Sequence, residues 1–199
     1  YGYAGWGCLD YFVEQPSRYT LNEAFLANQH ALVHRLETSF PGAMKKNPAP
    51  GKQDRSAVKL TEEGAALGVK SNDAAGLLHD RDVLAYYGDP ALAARMDKRS
   101  CAYDQTLVKE GDTYTLTVTG RRGKDTFKPI NTNGSQRGGR PIVQFFPERM
   151  RGMEKVEVLS GTEWSPVITD DFILVPNPGK GEGLKVKFRV VISPAERAR

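Results

Sequence analysis

The stretch Thr113-Tyr114-Thr115-Leu116-Thr117-Val118-Thr119 alternates between polar and apolar side chains along its whole length. Successive side chains of a β-strand point to opposite faces of the sheet, so one face of this strand is apolar and the other carries threonine hydroxyls. The segment 185–190 repeats the alternation, with valine and phenylalanine between lysine and arginine residues. Both segments are therefore predicted to be strands with one buried face.

Further apolar runs lie at residues 142–146, 156–159 and 172–175. Glycine, proline and asparagine residues separate these runs, and the intervening segments have no helical periodicity. Short strands at such spacing are typical of a sandwich of two sheets. The second part of the chain, residues 101–199, is predicted to be an all-β sandwich domain.

The first part of the chain has helical signals instead. Thr20 and Glu23 form the two ends of a capping box, which predicts a helix over residues 20–38. Pro41 and Gly42 end that helix, and the proline-rich polar stretch 41–56 is predicted to be an exposed loop.

Alanine-rich helical pieces are expected over residues 60–78, interrupted by Gly64 and Gly68. The short apolar and aromatic run 83–87 lies between charged residues and a Gly-Asp-Pro turn, so it is predicted to be a buried strand. Helix followed by strand and turn is typical of layered α/β folds. Residues 1–100 are therefore predicted to form an α/β layer.

Composition limits the class of protein and its partners. The chain has 199 residues, of which 39% are hydrophobic and 26% are charged, as in ordinary globular proteins. The net charge of +4 is spread along the chain, which argues against a nucleic-acid-binding stripe. No apolar run approaches the roughly 20 residues that span a bilayer. Neither nucleic acid nor a membrane span is expected.

The cysteine and histidine residues do not predict a metal or cofactor site. Cys8 and Cys101 cannot make a disulfide framework and lack the spacing of metal ligands, so they leave the cellular compartment open. His30 and His34 are four residues apart on the predicted helix, but Ala31 stands where a zinc peptidase helix carries glutamate. A solvated polar helix face is the expected role of the two histidines.

Residues 1–8 combine glycines with aromatic residues. Gly2, Gly5 and Gly7 allow the backbone to come close to a ligand, and Tyr3 and Trp6 supply flat apolar surface. Such a segment can form the wall of a pocket. The same aromatic side chains can also pack over a neighbouring sheet, and composition alone favours that structural role.

Three segments together resemble the gingipain family of caspase-like cysteine peptidases: residues 3–7, residues 23–28 and residues 83–92. The resemblance implies that residues 1–100 are the C-terminal portion of a caspase-like catalytic domain. It also implies that residues 101–199 are an immunoglobulin-like domain. A protein or peptide substrate and a secreted or cell-envelope location are expected on the same basis.

The resemblance implies catalysis by a cysteine and a histidine that lie upstream of this chain, so the chain alone is expected to be inactive. Such chemistry needs a thiolate beside a base. Cys8 follows the aromatic motif and is expected to be a packing residue in preference to the nucleophile. Tyr3, Trp6 and Gly7 are the expected substrate-binding residues, with the Trp6 indole at the rim of the specificity pocket.

Two other functions remain open at this stage. In one, the chain is a non-catalytic binding or adhesion module built on a degenerate peptidase-like scaffold. In the other, it is a different α/β hydrolase that uses Asp10 or Asp89 as an acid or base, although the Gly-Asp-Pro sequence alone explains Asp89 as a turn residue. Substrate preference, calcium dependence, activation and oligomeric state are not predicted.

Overall fold

The structure is a computed structural model that describes residues 10–45, 58–89, 91–92, 101–129 and 139–193. The chain divides into two compact units. The helical unit comprises Tyr1–Ser100 and Pro129–Arg140, and the sheet unit comprises Cys101–Lys128 and Pro141–Arg199. The predicted coarse class, a chain of mixed helix and sheet with a β-rich second part, is confirmed. The division by sequence at residue 100 assigns residues 129–140 to the second domain, whereas these residues cluster with the helices.

The described part of the helical unit contains four α-helices: α1 (Asp10–Glu14), α2 (Leu21–Ser39), α3 (Glu62–Ala66) and α4 (Asp73–Val83). A short 3-10 helix, Ala43–Lys45, follows α2 within the predicted loop, and residues 46–56 of that loop lie outside the described residues. The capping box of α2 is confirmed. The Glu23 amide donates to the Thr20 hydroxyl at 3.2 Å, and the Thr20 amide donates to the Glu23 carboxylate at 2.7 Å.

The buried face of α2 combines small, apolar and polar side chains. Its buried residues follow helical spacing: Ala24, Ala27, Asn28, Ala31, Leu32, Arg35, Leu36 and Ser39. Leu21 and Phe25 are only half-buried. The small alanine side chains let neighbouring helices approach closely, which moves the contact stripe toward the alanines.

Gly64 does not interrupt the helical segment but lies inside α3. A Cβ atom at this position would come within 2.9 Å of Leu60 Cδ1 and of Ser39 Cβ, so the glycine permits close packing of α3 on the end of α2. The second glycine, Gly68, has a φ of +81° and follows the helix as predicted.

The buried strand predicted over residues 83–87 is wrong. Helix α4 continues to Val83, and residues 84–87 have no strand partner among the described residues. The Tyr86 ring packs against Phe25 with centroids 6.0 Å apart, whereas Tyr87 is 93% exposed. A strand needs a neighbour for its backbone groups, and a short apolar run alone does not distinguish a strand from the end of a helix.

The sheet unit contains seven described strands: β1 (Tyr103–Glu110), β2 (Thr113–Gly120), β3 (Ile142–Phe145), β4 (Met153–Ser160), β5 (Val167–Ile168), β6 (Phe172–Val175) and β7 (Gly183–Ile192). They form a four-stranded sheet in the order β1-β2-β7-β4 and a three-stranded sheet in the order β3-β6-β5. All neighbouring strands are antiparallel. The strands predicted from alternation and from apolar runs are confirmed.

Both sheets contribute to one hydrophobic core. Leu116 of β2 and Phe188 of β7 are fully buried, as is Ile173 of β6 in the other sheet. Phe188 stacks on Tyr114 with ring centroids 5.3 Å apart and an interplanar angle of 9°. The alternation of 113–119 therefore places its apolar side chains between the sheets, as the period of two requires.

The division into four and three strands is shared with constant-type immunoglobulin domains, but the strand order is different. In that type the fifth strand lies between the second and fourth, and the seventh lies beside the sixth. Here β7 lies between β2 and β4, and β5 lies beside β6. The long β7 can pair along both β2 and β4, whereas β5 has only two residues.

Candidate functional site

The residues predicted to bind substrate, Tyr3, Trp6 and Gly7, lie outside the described residues, as does Cys8. Their roles therefore stay predictions.

A buried polar cluster in the helical unit is the most distinctive arrangement of charged groups in the structure. It consists of Arg140, Asp10, Glu14 and Asn28, and we call it the Arg140 cluster. The Arg140 side chain is only 5% exposed, and it comes from the end of the 129–140 segment. Asp10 and Glu14 begin and end α1, and Asn28 lies on the buried face of α2.

The guanidinium of Arg140 contacts every other member of the cluster. It donates to the Asn28 side-chain oxygen at 2.7 Å and to the Asp10 carboxylate. Its Nε atom lies 3.4 Å from Oε1 of Glu14. One side chain thus connects both helices to a segment that is more than 100 residues away in sequence.

Burial and neighbouring charges shift the pKa of Glu14 in opposite directions. Burial raises the pKa of Glu14 above its usual value, the charge of Arg140 opposes that rise, and the nearby Asp10 adds to it. The Glu14 carboxyl is therefore protonated more easily than a carboxyl in an exposed ion pair.

Aromatic residues cover the other side of the cluster. The guanidinium carbon of Arg140 lies 5.8 Å from the centroid of the Tyr11 ring, within the range of a cation–π contact. The Tyr19 ring meets the Tyr11 ring nearly edge-on at 5.8 Å. These contacts cover the Arg140 guanidinium, whereas the Asp10 and Glu14 side chains stay 31% and 25% exposed.

A second buried arginine, Arg35 of α2, lies beside the same segment. Arg35 is 6% exposed, and its Nη2 donates to the carbonyl oxygen of Gly139 at 3.3 Å. Burial lowers the pKa of the Arg35 guanidinium, an effect that its interaction with Tyr11 partly opposes. Arg35 Nε and Asn28 Nδ2 are buried without a hydrogen-bond partner among the described groups. Burying this charge costs free energy that the observed contacts offset only in part.

The chemistry of the Arg140 cluster suits anchoring more than catalysis. Two carboxylates and an amide oxygen surround one guanidinium, and this set contains no nucleophile beside a base. The result is a fixed junction between α1, α2 and residues 139–140. A loop attached directly to α1 would begin from a rigid support.

The two histidines of α2 are not on a fully solvated face. His30 and His34 are both half-buried. Burial, and then the charge of Arg35, lowers the pKa of His34 to about 4. His34 is therefore neutral at physiological pH, and the expectation of a solvated polar face is wrong for this residue.

Asp89 has the turn geometry that its sequence favours. Its carboxylate accepts a hydrogen bond from the Ala91 amide at 2.9 Å, and its carbonyl oxygen accepts one from the Tyr86 hydroxyl at 2.8 Å. Asp10 is engaged by Arg140. Both carboxylates proposed for a different hydrolase thus have structural roles here.

The part of the chain that the structure describes contains neither a metal-binding cluster nor a membrane-spanning helix. No group of three or more His, Cys, Asp or Glu side chains there is arranged to hold a metal ion. None of the described helices has the length and apolar character needed to cross a bilayer. Cys101 is a half-buried free cysteine that belongs to the sheet unit.

Arg140, Arg35 and Asn28 were not identified from the sequence. A signal was present for two of them, because Asn28 and Arg35 lie in phase with Ala24, Ala27 and Ala31 on the helical wheel of α2. No local pattern marks Arg140, since its partners are 112 and 130 residues away.

Comparisons with known proteins returned no relative. No protein-family model matches the chain, and no curated protein and no solved structure matches it either.

Proposed function

We propose that this chain is part of a gingipain-like cysteine peptidase, in which Tyr3, Trp6 and Gly7 border the pocket for a peptide side chain. The catalytic cysteine and histidine are supplied by residues upstream of this chain. The caspase-like character of the helical unit and the immunoglobulin-like character of the sheet unit belong to the same proposal.

The observation that carries the proposal is the anchoring of α1. Asp10, which begins α1, comes two residues after the end of the aromatic and glycine-rich segment 1–8. Arg140 holds both ends of this short helix, and α1 packs against α2. Residues that contact a substrate from a loop need support of this kind to hold their geometry.

The order of elements after α1 gives further support. A long capped helix follows the aromatic segment, and the Gly88-Asp89 turn and a β-rich unit come later, as in the family. The expected last strand before that turn is absent from the described residues. The proposal therefore depends on α1, α2 and the turn, and not on a sheet.

A second candidate function is a non-catalytic binding or adhesion module. This function requires no catalytic cysteine and histidine. The observation that favours it is the helical unit itself, whose described residues contain helices and connections but no strand. A sheet unit with its own core is compatible with such a module.

Cleavage of peptides by the full-length gene product separates the two functions. We expect hydrolysis that a thiol-directed inhibitor abolishes, and we expect Trp6→Ala to lower kcat/KM roughly ten- to a hundredfold, because a lost aromatic contact is worth about 1–3 kcal/mol. The matched variant Cys8→Ser should change activity much less. Absence of hydrolysis across a peptide library would favour the binding module. Loss of all turnover in Cys8→Ser, with Trp6→Ala unchanged, would move the nucleophile to Cys8.

A further inference from the structure

The outer face of the four-stranded sheet combines threonine hydroxyls with lysine charges. Leu116 of β2 and Val186 of β7 face the core, so their neighbours in sequence face the opposite side of the sheet. The register pairs Thr117 with Lys185 and Thr115 with Lys187 across the two central strands. Hydroxyl and ammonium donors thus lie side by side in two adjacent pairs.

The two lysines differ from the other cations of this face in their neighbours. Arg189, the next outward residue of β7, lies 3.7 Å from a carboxylate oxygen of Asp112 and 3.8 Å from one of Glu157. Lys185 and Lys187 make no ion pair within the described part of the sheet unit. Alternate residues of a strand are about 7 Å apart, so the two ammonium groups form a short row.

More positive charge lies at the end of the sheet where β7 begins. Arg122 and Lys124 follow β2, Lys180 precedes β7, and all three are exposed. A bridge between Asp125 and Gly181 brings these two connections together. Asp125 and Glu182 offset part of this charge, which leaves an excess of cations next to Lys185.

We propose that this face binds a sulfated polysaccharide. We call it the basic face, and it comprises Thr115, Thr117, Lys185 and Lys187, with Arg122, Lys124 and Lys180 at one end. Ammonium groups bind sulfate by charge, and the threonine hydroxyls of β2 bond to sugar hydroxyl and ether oxygens. This inference is independent of peptidase activity.

The composition of the basic face argues against other polyanions. None of its seven residues is aromatic, whereas single-stranded nucleic acids need aromatic rings on which bases stack. Val108 of β1 pairs with Thr115 and is exposed on the same side of the sheet, but one valine supplies little apolar surface for insertion into lipid. Lys185 and Lys187 lie on the inner strand β7, away from the sheet edges where an extended acidic peptide would pair.

Binding of fluorescein-labelled heparin to the complete chain tests the proposal. We expect saturable binding that weakens as salt increases, and we expect the double variant Lys185→Gln/Lys187→Gln to bind roughly three- to thirtyfold more weakly. The variant Thr115→Val/Thr117→Val should also weaken binding at unchanged charge. Circular dichroism should show the same fold for all proteins.

The matched control is Lys59→Gln/Lys70→Gln, which removes the same charge from exposed lysines of the helical unit. We expect this control to bind heparin like the parent chain. Equal loss of affinity in the control and in the Lys185/Lys187 variant would show that net charge alone determines heparin binding. That result would overturn the proposal. Equally tight binding of oligothymidylate or of anionic phospholipid vesicles would overturn the choice of polysaccharide.

Discussion

The two units bury different chemistry at their centres. The sheet unit encloses apolar side chains of both sheets around Phe188, whereas the helical unit encloses the guanidinium groups of Arg140 and Arg35. An apolar core is stabilised by many small contacts, so the cost of a substitution there follows the volume that it removes. A buried charge depends on a few specific partners, and it becomes costly when one of them is removed. The difference makes the helical unit the more sensitive to single polar substitutions.

The largest effect is expected in the sheet unit from Phe188→Ala. Phe188 is fully buried and packs against the rings of Tyr114 and Phe146. Loss of the ring should lower the stability of this unit by about 3–5 kcal/mol. Chemical unfolding followed by near-ultraviolet circular dichroism measures the change. A loss near zero would show that the two sheets do not share the core described above.

A somewhat smaller loss is expected in the helical unit from Arg140→Met. The substitution keeps an apolar stem but leaves Asp10 and Glu14 without their cation, which should cost about 2–4 kcal/mol because both carboxylates are partly exposed. Thermal unfolding measured at 222 nm reports the change.

Arg149→Met is the matched control for this prediction. Arg149 is 60% exposed and pairs with Asp170 and Asp171 at the surface of the sheet unit. Exposed pairs contribute about 0–1 kcal/mol, so this variant should unfold almost like the parent. Equal losses in the two variants would remove the distinction between a buried and a surface arginine.

A loss of about 1 kcal/mol is expected from Thr20→Ala, because the capping box of α2 loses its hydroxyl acceptor. Thr20→Ser keeps that acceptor and serves as the control. The comparison of the two variants in thermal unfolding isolates the cap. A similar loss in both would assign the effect to the threonine methyl group.

The smallest effect at neutral pH is expected from His34→Gln. The pKa of His34 is about 4 in the folded chain, against an ordinary value near 6.5, so the unfolded chain binds a proton more readily. The stability that His34 contributes is therefore present above pH 6.5 and falls as the pH drops toward 4. His34→Gln should flatten that part of the stability profile. An unchanged profile would show that His34 titrates normally.

The contrast between the units also explains how far the sequence predicted the structure. The alternation in 113–119 and the box at Thr20 are local signals, and local chemistry determined both elements. The strand predicted over residues 83–87 is wrong, because a short apolar run forms a strand only beside a neighbouring strand. The Arg140 cluster could not be predicted, because it joins residues more than 100 positions apart. Residues 1–8 lie outside the described part, so the proposed pocket stays a prediction.

Hydrogen exchange of the Arg140→Met variant tests most directly the claim that one arginine secures the helical unit. We expect the amides of α1 and α2 to lose protection, because both helices contact Arg140, while the amides of β2 and β7 keep theirs. Unchanged protection of α1 and α2 would contradict the claim. Equal loss of protection in β2 and β7 would contradict it as well, since the substitution would then act on the whole chain.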